Sequence, residues 1–484
     1  MTQHRPMGRQ LSDRAALHPD APALTFAGTT VTFAELDRSA NRLARTYASL
    51  GVKQGDLVTI GLPNSIEGVV AAWAVWKLGA TPQPISPVLP RLERDAIVQL
   101  AGATLLVGVA EEHPGVASVA VGYVPDPSLS DEPLPDAVAP SWKAMTSGGS
   151  TGRPKLILAG SSSALDPKAG AILQLQERGV VMSPGPMYHN TTFMSCHTGL
   201  LMGNHVILLE RFDPIATLAA VETYQVDVLI LVPTMMLRIL RSLDTRSFDL
   251  SSLRRVWHLA APCAPWLKQA WIDLIGGERL WELYAGTELI SVTTVNGIDW
   301  LAHPGTVGRP LVGEMAIFGP DGERLPPGEV GDIYMVGAPG APDSYAYVGA
   351  EPTTRGEWTT LGDLGWMDAE GYLYLSDRRT DLILAGGANV YPAEIEAALM
   401  EHPDVQSAVV VGLPDDDLGQ RVHAVVQAPP AIEAELREFV AERLVRYKQP
   451  RSYRFVTDSL RDDAGKVRRS AVREQEAVFQ SSLA

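Results

Sequence analysis

The stretch Met145-Thr-Ser-Gly-Gly-Ser-Thr-Gly-Arg-Pro-Lys155 packs three glycines, four hydroxyl side chains and two cations into eleven residues. Glycines let a backbone curl tightly and bring its N–H groups close to a ligand. Hydroxyls and a lysine complete a cradle for a polyanion such as a triphosphate. The spacing is not that of a Walker A loop, because G-x-x-x-x-G-K-[ST] is absent. Leu156-Ile-Leu158 follows at once, which predicts strand–loop–strand and not strand–loop–helix. A Gly/Ser-rich linker is the bland alternative, but linkers rarely end in Arg-Pro-Lys followed by an apolar run. Gly148-Gly-Ser-Thr-Gly152 also matches the serine-hydrolase elbow G-x-S-x-G. That motif needs a helix directly after it, and here a strand-like run follows.

Outward from this loop, helical apolar patterns alternate with short β-rich runs. Before it, Phe33 to Leu50 and Ile66 to Leu78 are helical and Leu57-Val-Thr-Ile60 is strand-like. After it, Val206-Ile-Leu-Leu209 and Val228-Leu-Ile-Leu-Val232 read as buried strands, Thr217 to Thr223 and Met235 to Leu243 as helices. Such alternation predicts an α/β layer fold with parallel strands. Residues 1–8 read as a loose tail.

Around residue 300 the texture changes. Met315-Ala-Ile-Phe318, Gly331-Asp-Ile-Tyr-Met335 and Gly371-Tyr-Leu-Tyr-Leu375 are short strands parted by Gly, Pro and Asp turns. This predicts a small β-barrel-like subdomain, about 305–376. The charged run Ser376-Asp-Arg-Arg-Thr-Asp381 then marks a boundary. Beyond it, Val405 to Val411 and Val422 to Val426 are strands, and Ile432, Leu436, Phe439, Val440 and Leu444 line one helix face. The expected organisation is a large N-terminal α/β domain, 1–379, and a small α+β C-terminal domain, 380–484.

The chain of 484 residues, 46% hydrophobic and 20% charged, supports at least two domains and a large core. A net charge of -16 argues against a general nucleic-acid or membrane-surface binder, so any anion must be held by a local basic site. Two cysteines, Cys196 and Cys263, give neither a disulfide framework nor zinc spacing. Met1 to Asp20 lacks an apolar signal core and the longest apolar strand is too short to span a bilayer. The expectation is a cytoplasmic protein with no nucleic-acid or membrane partner; the oligomeric state is not legible.

Four further stretches carry chemistry. Tyr284-Ala-Gly-Thr-Glu288 sets a carboxylate beside a hydroxyl after the aromatic-rich run Leu280-Trp-Glu-Leu283, an arrangement able to hold Mg²⁺ on a nucleotide phosphate. A solvated turn glutamate is the commoner use of such a residue. In Gly362-Asp-Leu-Gly-Trp366 a carboxylate between glycines suits two ribose hydroxyls; the alternative is an Asx-type turn. The run from Asp377 to Glu396 joins a charged boundary, an apolar strand, the pair Gly386-Gly387 and a helix start. Asp463-Ala-Gly-Lys-Val-Arg-Arg469 places a lysine on a glycine-hinged loop, where it can reach a distant site as a mobile cation.

In this order, the five stretches resemble the core motifs of the adenylate-forming superfamily. That superfamily includes acyl- and aryl-CoA synthetases, peptide-synthetase adenylation domains and firefly luciferase. The resemblance runs from about Leu11 to Val472. It implies that Thr146, Ser147, Gly148, Gly149, Ser150, Thr151, Gly152 and Lys155 bind the ATP phosphates. Ala260, Ala261 and Pro262 resemble the adenine-side strand. Tyr284 would stack on adenine, with Ala285 and Gly286 beside it. Thr287 would contact the α-phosphate and Glu288 would hold Mg²⁺. Asp363 would bind ribose, with Arg378 nearby. Lys466 resembles the lysine that bridges the acyl carboxylate and the α-phosphate. The resemblance also implies that the small C-terminal domain is mobile. After adenylation it would withdraw Lys466 and bring in the loop of Gly386 and Gly387, which lines the path of a second substrate, often coenzyme A. Two positions depart from the family pattern. Thr380 stands at the hinge, usually Asp or Lys, and Val336 replaces a basic residue after its strand. A hinge needs φ/ψ freedom more than charge.

Pro184-Gly-Pro-Met-Tyr-His-Asn190 resembles the segment lining the acyl pocket, with His189 at its mouth or near the carboxylate. Phe193, Met194, Cys196 and His197 follow on a candidate helix; some are expected to face the pocket, the others to pack in the core. Trp257 to Cys263, Trp300 to Pro310 and Leu444 to Pro450 resemble bile-acid and long-chain acid CoA ligases and related amide synthetases. The expected function is AMP-forming activation of a hydrophobic aryl or cyclic acid and its transfer to coenzyme A. The alternatives are an amine or another acceptor, and a non-catalytic binder keeping the fold.

Overall fold

The computed structural model describes residues 5–109, 113–148, 154–242, 248–340, 343–385, 387–415, 418–462 and 465–483. Its largest sheet has a parallel centre. Strands Pro22–Phe26, His205–Leu208, Val180–Met182, Val228–Leu231, Arg255–Leu259 and Leu280–Tyr284 lie side by side in that order, each pair parallel. A second, four-stranded parallel sheet holds Leu57–Ile60 and Thr81–Pro84. Near-continuous Val, Ile and Leu in the central strands reflect burial on both faces.

Between the two sheets lies a helical layer. Helix Phe33–Ser49 starts with a capping box: the Thr32 hydroxyl accepts from the Glu35 N–H, and the Glu35 carboxylate accepts from the Thr32 N–H. Helix Ile66–Lys77 is apolar nearly all round and is buried from Val69 to Lys77. Phe33, Tyr47, Trp73, Trp76 and Phe193 share one core with strand residues of both sheets, including Val58, Leu105, Val206 and Val228.

The expected tail is corrected at its described end. Met7 opens helix Met7–Leu17 and is fully buried in that same core. The surrounding polar residues hide this single apolar anchor in the sequence.

The later strands join the main sheet through Thr306–Val312, which pairs antiparallel with Val292–Asn296 on one side and Leu373–Arg378 on the other. They enclose a core of their own, with Val307, Met315, Ile317, Ile333, Met335 and Leu373. A separate five-stranded sheet includes Ile383–Ala385, Ser407–Asp415, Gly419–Gln427 and Ser452–Val456. Ile395, Leu399, Leu436 and Val440 pack with it in a third core. The mixed α/β fold thus has a large N-terminal domain and a small C-terminal one.

Candidate active site

Strands Ala144–Gly148 and Pro154–Ala159 pair antiparallel, with Ser147 opposite Lys155, as strand–loop–strand predicts. Gly149, Ser150, Thr151 and Gly152, at the centre of the expected phosphate cradle, lie outside the described residues, as does Gly386. Gly148 ends its strand. Thr146 accepts at its hydroxyl from Gln83 Nε2 at 2.9 Å.

One cleft of about 2860 Å³ gathers most of the expected residues. Its walls include Thr146, Ser147, Lys155, His189, Ala260, Ala261, Pro262, Tyr284, Ala285, Gly286, Thr287, Glu288, Asp363, Arg378 and Lys466. Gly387 is not among them; it turns between strands Ile383–Ala385 and Ala388–Val390 at φ 81°.

At one end of the cleft, Tyr284 donates its hydroxyl to Asp363 Oδ2 at 2.8 Å, and Arg378 Nε donates to Asp363 Oδ1 at 3.2 Å. Burial, with the Asp363 carboxylate adding to it, drives the Tyr284 hydroxyl well above its ordinary pKa. It therefore stays a proton donor. Ala260–Pro262, expected on a strand, instead occupy the turn after Arg255–Leu259. Ala260 there takes a left-handed φ of 73°. Leu289, next to Glu288, is also left-handed at 51°. Strained backbone at both edges of one cleft is a feature of functional sites.

A second cluster forms around Glu288. Its Oε1 accepts from the Tyr347 hydroxyl at 2.5 Å and lies 3.4 Å from Lys155 Nζ. The same Lys155 ammonium stands 3.7 Å from the centre of the Tyr347 ring, a cation–π contact. Gly286 makes room here: a Cβ would come within 2.7 Å of Glu288 Oε2. Among the described residues Oε2 has no hydrogen-bond partner, and no group of three His, Cys, Asp or Glu could hold a metal alone. One carboxylate plus nucleotide oxygens and water is an ordinary Mg²⁺ environment, so Glu288 fits that ion. Tyr347 escaped the sequence reading. Its only signal is alternation in Tyr345–Val348, which pairs with the lysine-bearing strand and puts Tyr347 opposite Ile157.

Lys466 enters from the C-terminal domain. Desolvation lowers its pKa, with Arg378 acting in the same direction and Asp462 and Glu288 opposing. Solvent still reaches its side chain along the cleft. The loop docks through Gly465, at φ 73°, where a Cβ would lie 2.5 Å from Thr234 Oγ1. Behind the loop, Arg461 Nη2 donates to Glu396 Oε2 at 2.8 Å, and Arg469 donates to the same carboxylate at 2.9 Å and to Asp381 Oδ2 at 2.8 Å. Asp377 accepts from the Ala393 N–H at 2.8 Å. The large domain's Arg241 donates to the carbonyls of Met400 at 2.7 Å and His402 at 3.2 Å, and to that of Val405.

His189 lines the cleft, with Nε2 3.8 Å from Asp462 Oδ2. Burial and the nearby Lys466 push its pKa down to about 3, so the imidazole is neutral near pH 7. On helix Asn190–Leu201, Met194 faces the cleft. Phe193, Cys196 and His197 do not. They are core residues, with His197 packed edge-on against Trp73, Trp76 and Phe193.

The chain is similar to known proteins over most of its length. The family model for AMP-binding enzyme matches residues 11–342, and that for the AMP-binding enzyme C-terminal domain matches 394–466. A feruloyl-CoA synthase from Amycolatopsis sp is 33% identical over 96% of this chain and 97% of its own length. The o-succinylbenzoate CoA synthetase of Bacillus subtilis, solved with its acyl-adenylate intermediate, is 27% identical with a TM-score of 0.83, covering 98% of both chains. The amide bond synthetase McbA from Marinactinospora thermotolerans is 26% identical with a TM-score of 0.80, covering 97% of this chain and 99% of its own. On the sequence match over most of its length, the chain belongs to the AMP-binding enzyme family.

Proposed function

We propose that this protein activates a hydrophobic aryl or cyclic carboxylic acid with ATP and transfers the acyl group to coenzyme A. The observation that carries this reading is the meeting of Lys466 with the Tyr284–Asp363–Arg378 and Lys155–Glu288–Tyr347 clusters in one cleft. A carboxylate oxygen of the acid attacks the α-phosphorus of ATP. The bond to the bridging oxygen breaks, and pyrophosphate leaves with its electron pair. Charge builds on the phosphoryl oxygens, so the chain's contribution is preorganised cations and N–H donors and needs no side-chain nucleophile.

In this reading Asp363 takes the ribose hydroxyls and Tyr284 the adenine. Thr146, Ser147 and Lys155 face the phosphates, and Thr287 the α-phosphate. Glu288 would hold Mg²⁺, which supplies charge neutralisation when bound. Lys466 spans the acyl carboxylate and the α-phosphate. The thiol of coenzyme A then attacks the acyl carbonyl, AMP departs, and the thiol proton passes to solvent. We place the domain boundary at 379/380, with Thr380 as the hinge. Support comes from strand Leu373–Arg378, which belongs to the large sheet, and Ile383–Ala385, which belongs to the small one. Rotation there would exchange Lys466 for the loop holding Gly387.

An apolar acid is supported by Trp142, Ile172, Leu173, Met194, Leu259 and Leu283 on the cleft wall, and by the aryl substrates named for the similar feruloyl-CoA and o-succinylbenzoate enzymes. Two free cysteines suit a cytosolic setting. Among the described residues no helix is long and apolar enough to cross a membrane. The similarity to an amide bond synthetase favours one second reading, with an amine as acceptor.

The test is pyrophosphate release with Mg-ATP and a panel of aryl, polycyclic and fatty acids, with and without coenzyme A, with products identified by mass spectrometry. Acid-dependent release yielding an acyl-CoA is expected. Release indifferent to coenzyme A moves the acceptor to an amine or another nucleophile, and no acid-dependent release overturns adenylation.

A further inference from the structure

Strand register brings Tyr347 to Glu288. Tyr345–Val348 runs antiparallel to Pro154–Ala159 and sets Tyr347 opposite Ile157, two residues along from Lys155. Side chains two apart on a strand share a face, so Tyr347 and Lys155 are diagonal neighbours. Both reach one atom, Glu288 Oε1: the hydroxyl at 2.5 Å and the ammonium at 3.4 Å. Burial, with the Glu288 carboxylate adding to it, holds the Tyr347 hydroxyl well above its ordinary pKa. The tyrosine is therefore the donor in this pair.

An ionised carboxylate offers about two lone pairs on each oxygen. On Oε1 both are met by donors, Tyr347 and Lys155. Oε2 has no donor among the described residues, and Gly286 keeps space clear against it, since a Cβ there would lie 2.7 Å away. The two oxygens are thus unequal. A cation that needs only Oε2 finds it open. A cation that needs both must displace the hydroxyl and sit against the Lys155 ammonium, a like charge. Lys155 has a long side chain and can turn to a phosphate, whereas Tyr347 is a short rigid ring on a paired strand and stays. Divalent ions differ in this respect. Mg²⁺ binds octahedrally at about 2.0–2.1 Å and is content with one carboxylate oxygen beside nucleotide oxygens and water. Ca²⁺ gathers about six to eight oxygens at about 2.3–2.6 Å, often both from one carboxylate.

We propose that Tyr347 makes this site selective for Mg²⁺ over Ca²⁺, by tying up one oxygen of Glu288 and leaving the other for a single metal bond. Tyr347 is a positioning residue acting through Glu288. This rests on the adenylation reading, in which Glu288 holds the metal of Mg-ATP.

Binding of α,β-methylene-ATP, followed by calorimetry, tests it without turnover, because that analogue cannot release pyrophosphate. Dissociation constants are compared in saturating Mg²⁺, in saturating Ca²⁺ and in EDTA. The wild type should bind the Mg²⁺ complex about tenfold more tightly than the Ca²⁺ complex, the scale of one hydrogen bond to a charged group. Tyr347→Phe frees Oε1 and should bring that ratio to about one, chiefly by tightening the Ca²⁺ complex. In Glu288→Gln the ratio should already be near one, and adding Tyr347→Phe should not alter it. Gly286→Ala, which crowds Oε2, should shrink the gain in affinity that Mg²⁺ gives over EDTA. A merely structural role for Tyr347 would weaken both metal complexes together and leave their ratio in place. A wild-type ratio near one, a ratio that survives Tyr347→Phe, or a full Mg²⁺ gain in Gly286→Ala overturns the selection. Failure of the wild type to bind the analogue in any of the three conditions overturns the adenylation reading beneath it, and the selection with it.

Discussion

In the helical layer Lys77 gives its donors to Gly8 O at 3.3 Å, Ser12 Oγ at 3.0 Å and Asp37 Oδ1 at 2.6 Å. In the cleft Lys466 has no hydrogen bond or ion pair from its side chain among the described residues. Both ammonium groups lose hydration, and for both desolvation lowers the pKa. The difference lies in what compensates. Lys77 is satisfied within the fold, and Lys268 likewise donates to Glu282 at 2.5 Å. Lys466 is left with donors to spend on something that is not protein. Removing the partner of a fully paired buried cation destabilises a structure, whereas an underpaired cation on a cleft wall awaits an anion.

The sharpest way to break this contrast is to remove each lysine's function in turn. Lys466→Ala should lower acid-dependent pyrophosphate release by about a thousandfold, the scale for losing a preorganised charge in a transition state. Consumption of ready-made acyl-adenylate should persist. Unchanged pyrophosphate release would show that Lys466 is as structural as Lys77. Conversely, Asp37→Ala strands the Lys77 ammonium and should cost about 3–5 kcal/mol in urea unfolding. Its turnover per folded molecule should stay at the wild-type value, and a cleft-specific loss would mean that the two regions are coupled.

Smaller effects sharpen the comparison inside each region. Tyr347→Phe keeps the ring under Lys155 but removes the hydroxyl bond to Glu288. Pyrophosphate release should drop by about tenfold, checked by initial rates at saturating and limiting Mg-ATP. In the helical layer His197 is buried, with its pKa pushed down to about 3. Its imidazole in the unfolded chain titrates near 6.5, so between those values the unfolded state binds the extra proton. The stability from a neutral His197 is present above about pH 6.5 and is lost as pH falls, at up to about 1.4 kcal/mol per pH unit. His197→Phe should flatten the acid side of the stability profile from pH 6.5 to 5.5. An unchanged slope would assign acid sensitivity to other groups, such as His258, whose pKa burial lowers to about 4.

Much of the fold was legible because its signals are local. The pattern Leu57-Val-Thr-Ile60 became a strand and Ile66 to Leu78 a helix, within a residue. Tyr284, Asp363, Arg378 and Lys466, singled out from motifs, all line the one cleft, since short chemistry-bearing runs keep their spacing in the chain. What stayed hidden depends on distant pieces meeting. Tyr347 reaches Glu288 only because Tyr345–Val348 pairs with Pro154–Ala159 across almost two hundred residues. Lys143 carried no signal in the sequence, and its contact with Asn190 joins side chains from separate elements. His197 and Met194 share a helix, and only the packing of Trp73 and Trp76 decides which faces inward. The tail failed for the opposite reason: one buried Met7 carries too little pattern to be read.

Arg241 gives one more consequence. It reaches out of the large domain to the carbonyls of Met400, His402 and Val405, at the C-terminal end of helix Pro392–Met400. These acceptors belong to the helix end and the turn after it, where carbonyls lack partners in the helix and carry its negative pole. Any movement that withdraws Lys466 while the large domain stays still must trade those three bonds for water. If the small domain turns about Thr380 as proposed, the arginine would act as a brake as well as a contact. Under the proposed rotation this contact, away from the cleft lining, would slow opening without touching the chemistry.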